Sequence, residues 1–221
     1  MQKAYKGMGM GMGMEGSIAR WYDKTTRKDM PEYVRVAERI DSLVPENAEI
    51  LEVAPGPGFI SIELARGGRH RVTGLDISHT FIDIARKNAA AAGVSVDFRH
   101  GNASEMPLEA NSFDFVVCRA AFKNFTEPVK AIAEMYRVLR PGGQGVIIDL
   151  RRDTSMSEIA NYVDNMEGNV LNGLFMKFTF RFMLIPRAYT VEQFRQMLAQ
   201  VPFASTRIEQ TSVGVGVWFE K

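Results

Sequence analysis

Ile50-Leu51-Glu52-Val53-Ala54-Pro55-Gly56-Pro57-Gly58 reads as a short apolar strand running into a glycine turn, with the helix-forming stretch Phe59–Arg66 directly behind it. Glycine has no Cβ, so Gly56 and Gly58 let the backbone approach a ligand closely. The free amide ends of the following helix point at the same spot. Farther along, Asp76 closes a second strand, Arg71–Leu75. An acid at that place accepts hydrogen bonds from the two hydroxyls of a ribose, and both groups fall at the carboxyl edge of neighbouring strands, where open α/β sheets bind ligands.

The pattern repeats outward from this centre. Val94–Phe98, Phe113–Cys118 and Gly145–Leu150 read as further strands. Between them, Ser78–Ala92 reads as a helix with Ser78 as N-cap and Gly93 as its stop. Glu127–Leu139 is a second helix, stopped by Pro141-Gly142-Gly143. Strands alternating with helices imply a parallel sheet covered on both faces. After Leu150 the rhythm changes. Ser155–Leu184 reads as one or two helices rich in Met and Phe, and Thr190–Gln200 as a helix with a Thr190/Gln193 capping box. Ser205–Thr211 and Val213–Glu220 alternate as two strands with so short a link that they must be antiparallel. Upstream, Ser17–Lys28 reads as a short helix bearing Trp21 and Tyr22, and Pro31–Val44 as a helix with one apolar face. Gly7–Met14 alternates Gly and Met, which is costly to order. The expected organisation is a flexible tail over 1–16 and one domain over 17–221, with a helical lid insertion at about 154–188.

Composition narrows the function. A chain of 221 residues, 46% hydrophobic, has material for one large α/β domain. A formal charge of +1 gives no field to recruit nucleic acid or an anionic membrane. No apolar run is long enough to span a bilayer, and the start lacks a signal-peptide pattern, so a cytoplasmic protein is expected. Cys118 is the single cysteine, and His70, His79 and His100 have no metal-ligand spacing, so no metal is expected. His70 reads as a surface residue.

A glycine turn with a distant acid also fits a nicotinamide dinucleotide site in an NAD(P)-dependent oxidoreductase. Two features separate the readings. Ser61 stands where the dinucleotide fingerprint has its third glycine, and Pro55 and Pro57 remove two of the N–H donors that a pyrophosphate needs. A non-catalytic module that keeps the pocket as a scaffold is a third reading.

In order along the chain, the motifs resemble those of class I S-adenosylmethionine-dependent methyltransferases, small-molecule type, as in ubiquinone and menaquinone biosynthesis. LEVAPGPG resembles motif I, TGLDIS motif II, FDFVVCRAAFKNF motif IV, and EMYRVLRPGG the helix and turn that follow. In GNASEMPL, Asn102 and Ala103 match the residues that meet the adenine edge. The resemblance implies a Rossmann-like, doubly wound, seven-stranded, mostly parallel sheet with an antiparallel C-terminal pair. It implies S-adenosyl-L-methionine as cofactor, with Glu52, Ala54, Gly56 and Gly58 at the turn, Asp76 on the ribose and Ile77 on the adenine. Tyr22 is implied at the cofactor's carboxylate end, and Arg119 sits just past the fourth strand. The sequence departs from the family at Glu52, Ala54, Pro55 and Asn102, and Lys123 and Asn124 stand where histidine is common. For the acceptor, a small molecule, the candidates are Lys123, Arg151 and Arg152. The last two could clamp a carboxylate as paired guanidiniums, and Arg119 could do the same. The stripe Leu171, Leu174, Phe175, Phe178 and Phe182 would pack in the core, cover an apolar acceptor as a lid, or form a homodimer contact.

Overall fold

The computed structural model of the chain describes residues 14–164 and 177–221. Seven strands form one sheet: β1 (Glu49–Val53), β2 (Arg71–Asp76), β3 (Asp97–His100), β4 (Phe113–Arg119), β5 (Leu139–Leu150), β6 (Ser205–Gln210) and β7 (Gly214–Glu220). Their order is β3-β2-β1-β4-β5-β7-β6. β1 to β5 are parallel, β7 is antiparallel to β5, and β6 is antiparallel to β7. The expected fold class is therefore observed, and the order reverses at β1, with β4 on its other side.

Seven α-helices accompany the sheet among the described residues: α1 (Gly16–Thr26), α2 (Met30–Asp41), α3 (Phe59–Arg66), α4 (His79–Ala92), α5 (Pro128–Val138), α6 (Met156–Asp164) and α7 (Val191–Leu198). Successive strand side chains alternate between the two faces of the sheet. Leu51, Val53, Val116, Cys118, Ile147 and Val217 pack with α5 and α7. Ile50, Phe115, Val117, Val146 and Trp218 pack with α2 and α3 on the other face. Each such fully buried aliphatic side chain contributes about 1.5–3 kcal/mol, so the sheet's two faces hold the strand tips rigid.

Helix ends follow the sequence closely. The Ser78 hydroxyl accepts from Phe81 N, Gly93 takes φ 70°, and both bonds of the Thr190/Gln193 capping box form at the start of α7. Two boundaries differ from expectation. β3 starts at Asp97 rather than Val94, because Val94 and Val96 pack sideways onto the Ala85/Ala89 face of α4. β5 starts at Leu139 rather than Gly145. Leu139 pairs with Phe113 and Gln144 with Phe115, so residues 140–143 form a bulge. Gly142 N and Gly143 O bond to the backbone of Lys221, which replaces the missing ladder partners.

The expected tail lies mostly outside the described residues, as does the lid over 165–176. Met14, Glu15 and Gly16 are described and are bonded to the start of α4. Of the Met/Phe stripe, Leu171, Leu174 and Phe175 fall outside the described residues. Phe180 and Ile185 pack with Ile159 and Val163 of α6, whereas Phe178 and Phe182 are exposed.

Candidate active site

The site is built where β1, β2 and β4 end. Ala54 leaves β1 with φ 56°, Gly56 follows with φ 55° and Gly58 with φ 81°. Ala120, at the tip of β4, has φ 58°. A side chain in this left-handed region costs about 1–2 kcal/mol, and such strain gathers where backbones are bent around ligands. A Cβ on Gly58 would lie 2.7 Å from the Phe98 ring, so that glycine lets the turn close on β3. A Cβ on Gly56 would meet only ring edges of Phe81 and Tyr22 at 3.9 Å. Gly56 thus faces a gap walled by two aromatic rings, which lie edge to face with centroids 5.8 Å apart.

Asp76 receives Gly56 N on Oδ2 at 3.0 Å and Ser78 N on Oδ1 at 2.9 Å. Burial pushes its carboxyl up, against the pull of those N–H groups. Each oxygen retains lone-pair capacity for a hydroxyl donor. Glu52 is buried and takes both Ser61 N, at 2.8 Å, and Ser61 Oγ on its Oε2. Desolvation pushes its carboxyl up to about 7 despite the Ser61 bonds and the nearby Arg119 charge. Sequence reasoning saw Ser61 only as a missing glycine; here it is the residue that holds Glu52.

The N–H groups of the turn are already used. Ala54 N bonds Leu75 O at 2.8 Å, Gly56 N bonds Asp76, and Gly58 N bonds Pro55 O at 3.0 Å. Pro55 and Pro57 have none. A diphosphate would find no donor between residues 54 and 58, whereas a neutral ribose needs only the Asp76 acceptor. The donor set therefore suits a nucleoside without phosphates, the chemistry of S-adenosylmethionine, and disfavours the dinucleotide.

On the α2 side, Tyr22 of α1 lies partly buried over the turn, its phenol pushed up to about 12 by burial. The Arg119 guanidinium stacks on Tyr33 of α2 with its carbon 4.6 Å from the ring centre. Past the tip of β2, Ile77 is partly buried and its carbonyl contacts His100 Nε2 at 3.0 Å. Ala103 packs on the core, while Asn102 is exposed and its Oδ1 accepts Ser104 N at 2.9 Å. His79 and His100 stack, centroids 3.8 Å apart. His70, expected at the surface, is instead buried against Asp41 at 2.8 Å, with Nδ1 unpartnered.

The acceptor candidates separate. Lys123 Nζ is buried and pairs with Asp149 Oδ1 at 2.9 Å, and Lys123 N bonds Asp149 Oδ2 at 2.9 Å. Asp149, an acid inside the apolar run GVIIDL, was the available signal for this pair. Arg151 is not brought to the crevice as a free fork. Its guanidinium donates to Thr211 O at 3.1 Å, Asp153 O at 3.1 Å, Ser212 O at 3.0 Å and the Glu158 carboxylate. Arg152 is exposed and donates to Pro186 O at 2.6 Å. The two guanidiniums are not brought together as a paired clamp: Arg151 is tied to the segment before β7 and to α6, and Arg152 to Pro186. Cys118 is fully buried, which pushes its thiol well up and leaves it inert. Among the described residues, no cluster of three His, Cys, Asp or Glu side chains could hold a metal, and no helix is long and apolar enough to cross a membrane.

Residues 51–147 match a family described as a methyltransferase domain. The matched segment runs from β1 into β5 and carries the whole of the glycine turn and Asp76. A demethylmenaquinone methyltransferase of Deinococcus radiodurans is 35% identical over 140 residues, covering 62% of this chain and 58% of that protein. The chain thus spans under two thirds of the length of that relative. Among solved structures, an S-adenosyl-L-methionine-dependent methyltransferase of Methanococcus maripaludis aligns over 97% of both chains, at TM-score 0.75 and 23% identity. The cyclase SpnF also aligns, at TM-score 0.65 and 18% identity, over 85% of this chain and 80% of its own. Such a neighbour means that the fold alone does not fix the chemistry; the residues at the strand tips must.

Proposed function

We propose that the protein transfers a methyl group from S-adenosyl-L-methionine to a small aromatic acceptor of the quinol class. The observation that carries the cofactor is Asp76. It is a buried carboxylate at the tip of β2, next to the strand where the order reverses and beside a turn whose N–H groups are all spent. The acceptor class rests on the resemblance to demethylmenaquinone methyltransferases and on the aromatic surroundings of the turn, where Tyr22 packs on Phe81 and Arg119 stacks on Tyr33.

When bound, S-adenosylmethionine supplies a methyl group on a positively charged sulfur. Asp76 accepts from the ribose hydroxyls, with Ile77, Asn102 and Ala103 along the adenine. Gly56 leaves room for the methionine part, and Glu52, Ala54, Gly58 and Arg119 surround it. Tyr22 closes the aromatic gap over the turn and keeps water from the reacting centre. Holding donor and acceptor in line removes about 7–11 kcal/mol of barrier without any acid or base. A quinol arrives protonated, so its nucleophilic form needs a proton acceptor. On this reading the Asp149 carboxylate takes the proton of the acceptor hydroxyl, and Lys123, paired with it at 2.9 Å, stabilises the anion that forms. Arg151 and Arg152 serve structure on this reading. Exposed Phe178, Phe182 and Met183 beside α6 are the candidate contact with a second copy.

The test is calorimetry with S-adenosylhomocysteine and with NADH, followed by transfer of labelled methyl to a reduced demethylated menaquinone. Binding of the adenosine compound and label in the quinone are expected. NADH binding without S-adenosylhomocysteine binding would overturn the cofactor, and a labelled product only with non-aromatic acceptors would overturn the acceptor class.

A further inference from the structure

Asp76 is only 5% exposed and Ser78 beside it is fully buried, so the ribose acceptor is shut off from solvent. What shuts it is the stretch that enters α1. Ser78 Oγ donates to Met14 O at 2.6 Å, directly beside the Asp76 carboxylate. Glu15 then places its carboxylate on the first turn of α4. Its Oε1 accepts His79 N at 2.9 Å and its Oε2 accepts Thr80 N at 3.0 Å, with the Thr80 hydroxyl donating to the same oxygen. Gly16 N donates back to Thr80 Oγ1 at 3.0 Å.

The far end of α1 is held on the same helix. Asn88 of α4 donates to Asp23 at 3.1 Å and to Pro57 O of the glycine turn at 3.0 Å, and it accepts from Arg27 at 2.7 Å. Tyr22 lies between these two ties, over Gly56. Yet α1 buries only Ala19, whereas α2 buries Tyr33, Val36, Ala37 and Ile40. A helix that sinks so little apolar surface is held by its polar contacts and opens at low cost. The single 3-10 turn Arg27–Asp29 joins it to the anchored α2, which supplies a hinge.

We propose that α1 is a gate over the cofactor's ribose subsite and that the Glu15 carboxylate is its latch. The proposal rests on the cofactor reading above and adds how the cofactor enters and leaves. Glu15 bonds α4 rather than the ligand, so the latch holds the gate shut with the site filled or empty. It therefore slows entry and exit by the same factor and leaves the affinity nearly unchanged. Each exchange of spent for fresh cofactor then requires the Glu15 bonds to break, which makes Glu15 a positioning residue for Tyr22 and a control on turnover.

The experiment is stopped-flow binding of S-adenosylhomocysteine to the full chain, read by Trp21, which lies on α1 beside Tyr22 and is 65% exposed. Glu15→Ala removes three acceptor contacts, so association and dissociation rates should both rise about tenfold. The dissociation constant should stay within about threefold of the parent. Thr80→Val, which loses only the hydroxyl, should raise both rates about threefold, and it keeps the test open if Glu15→Ala does not fold. Hydrogen exchange should show the amides of 16–26 opening faster than those of 30–41 in the parent, and more so in either variant. Rates that do not change in these variants overturn the gate. A rise in dissociation alone also overturns it, because Glu15 would then contact the ligand directly. Failure of the parent chain to bind S-adenosylhomocysteine strikes the cofactor reading instead, so the two failures are distinguishable.

Discussion

Glu52→Gln should remove a pH-dependent weakness from the core. In the folded chain the Glu52 carboxyl sits at about 7, against 4.5 when unfolded, because burial disfavours the charged form more than Ser61 stabilises it. The native state therefore holds this proton longer than the unfolded state. Stability is greatest below the unfolded value and is lost as pH rises toward the folded value. That difference corresponds to about 3 kcal/mol once both states are ionised, most of it falling between pH 5 and pH 8. Glutamine is nearly isosteric, keeps an oxygen for Ser61 N and never ionises. Urea melts of both proteins at pH 5, 6, 7 and 8, plotted as parent minus variant, cancel all other titrating groups. The difference should slope against the parent with rising pH, equivalent to about 5–10 °C in melting temperature by pH 8. A flat difference over that range refutes the claim that Glu52 is buried with an elevated pKa. The same proton has a functional signature. A cationic ammonium bound beside Glu52 draws it to ionise, so S-adenosylhomocysteine binding at pH 6.5 should release part of a proton in the parent and none in Glu52→Gln. Calorimetry in two buffers of different ionisation heat reads that release.

Asp76→Asn should weaken S-adenosylhomocysteine binding by roughly 1.5–3 kcal/mol, because a charged acceptor is lost from the ribose hydroxyls; an unchanged dissociation constant removes Asp76 from that role. Arg151→Ala should cost about 1–3 kcal/mol of stability, since a buried side chain loses its packing and its bonds to the carbonyls of Asp153, Thr211 and Ser212. Its cofactor affinity should stay intact, and a change in acceptor KM with no loss of melting temperature would restore the clamp reading. Gly58→Ala should destabilise by about 2–4 kcal/mol through its clash with Phe98 and its φ of 81°. Gly56→Ala should cost less stability and more cofactor affinity, as its Cβ enters the gap by Tyr22; equal effects on both measures at both glycines would refute that division.

The linear order of residues determined what depends on neighbours along the chain. β1 and α3 fall at the residues that periodicity marks, and Ser78, Gly93 and the Thr190/Gln193 pair cap their helices because those contacts span three or four residues. The fold class followed too, since strand–helix alternation leaves few ways to bury both faces of a sheet. Contacts between distant segments could not be read that way. The pairing of Leu139 with Phe113 let β5 start before its Pro-Gly-Gly segment. Arg151 looks like a free cation beside Arg152 in sequence, and only the approach of the β6–β7 turn and α6 consumes its guanidinium. Ser61 reads as a lost glycine until α3 folds back onto Glu52. Glu15, at the edge of a Gly-Met repeat, carries no local signal, because its partners lie 64 and 65 residues away. Period and capping are local physics and are written in the sequence; the partner that satisfies a buried charge is chosen by the packing of the whole chain.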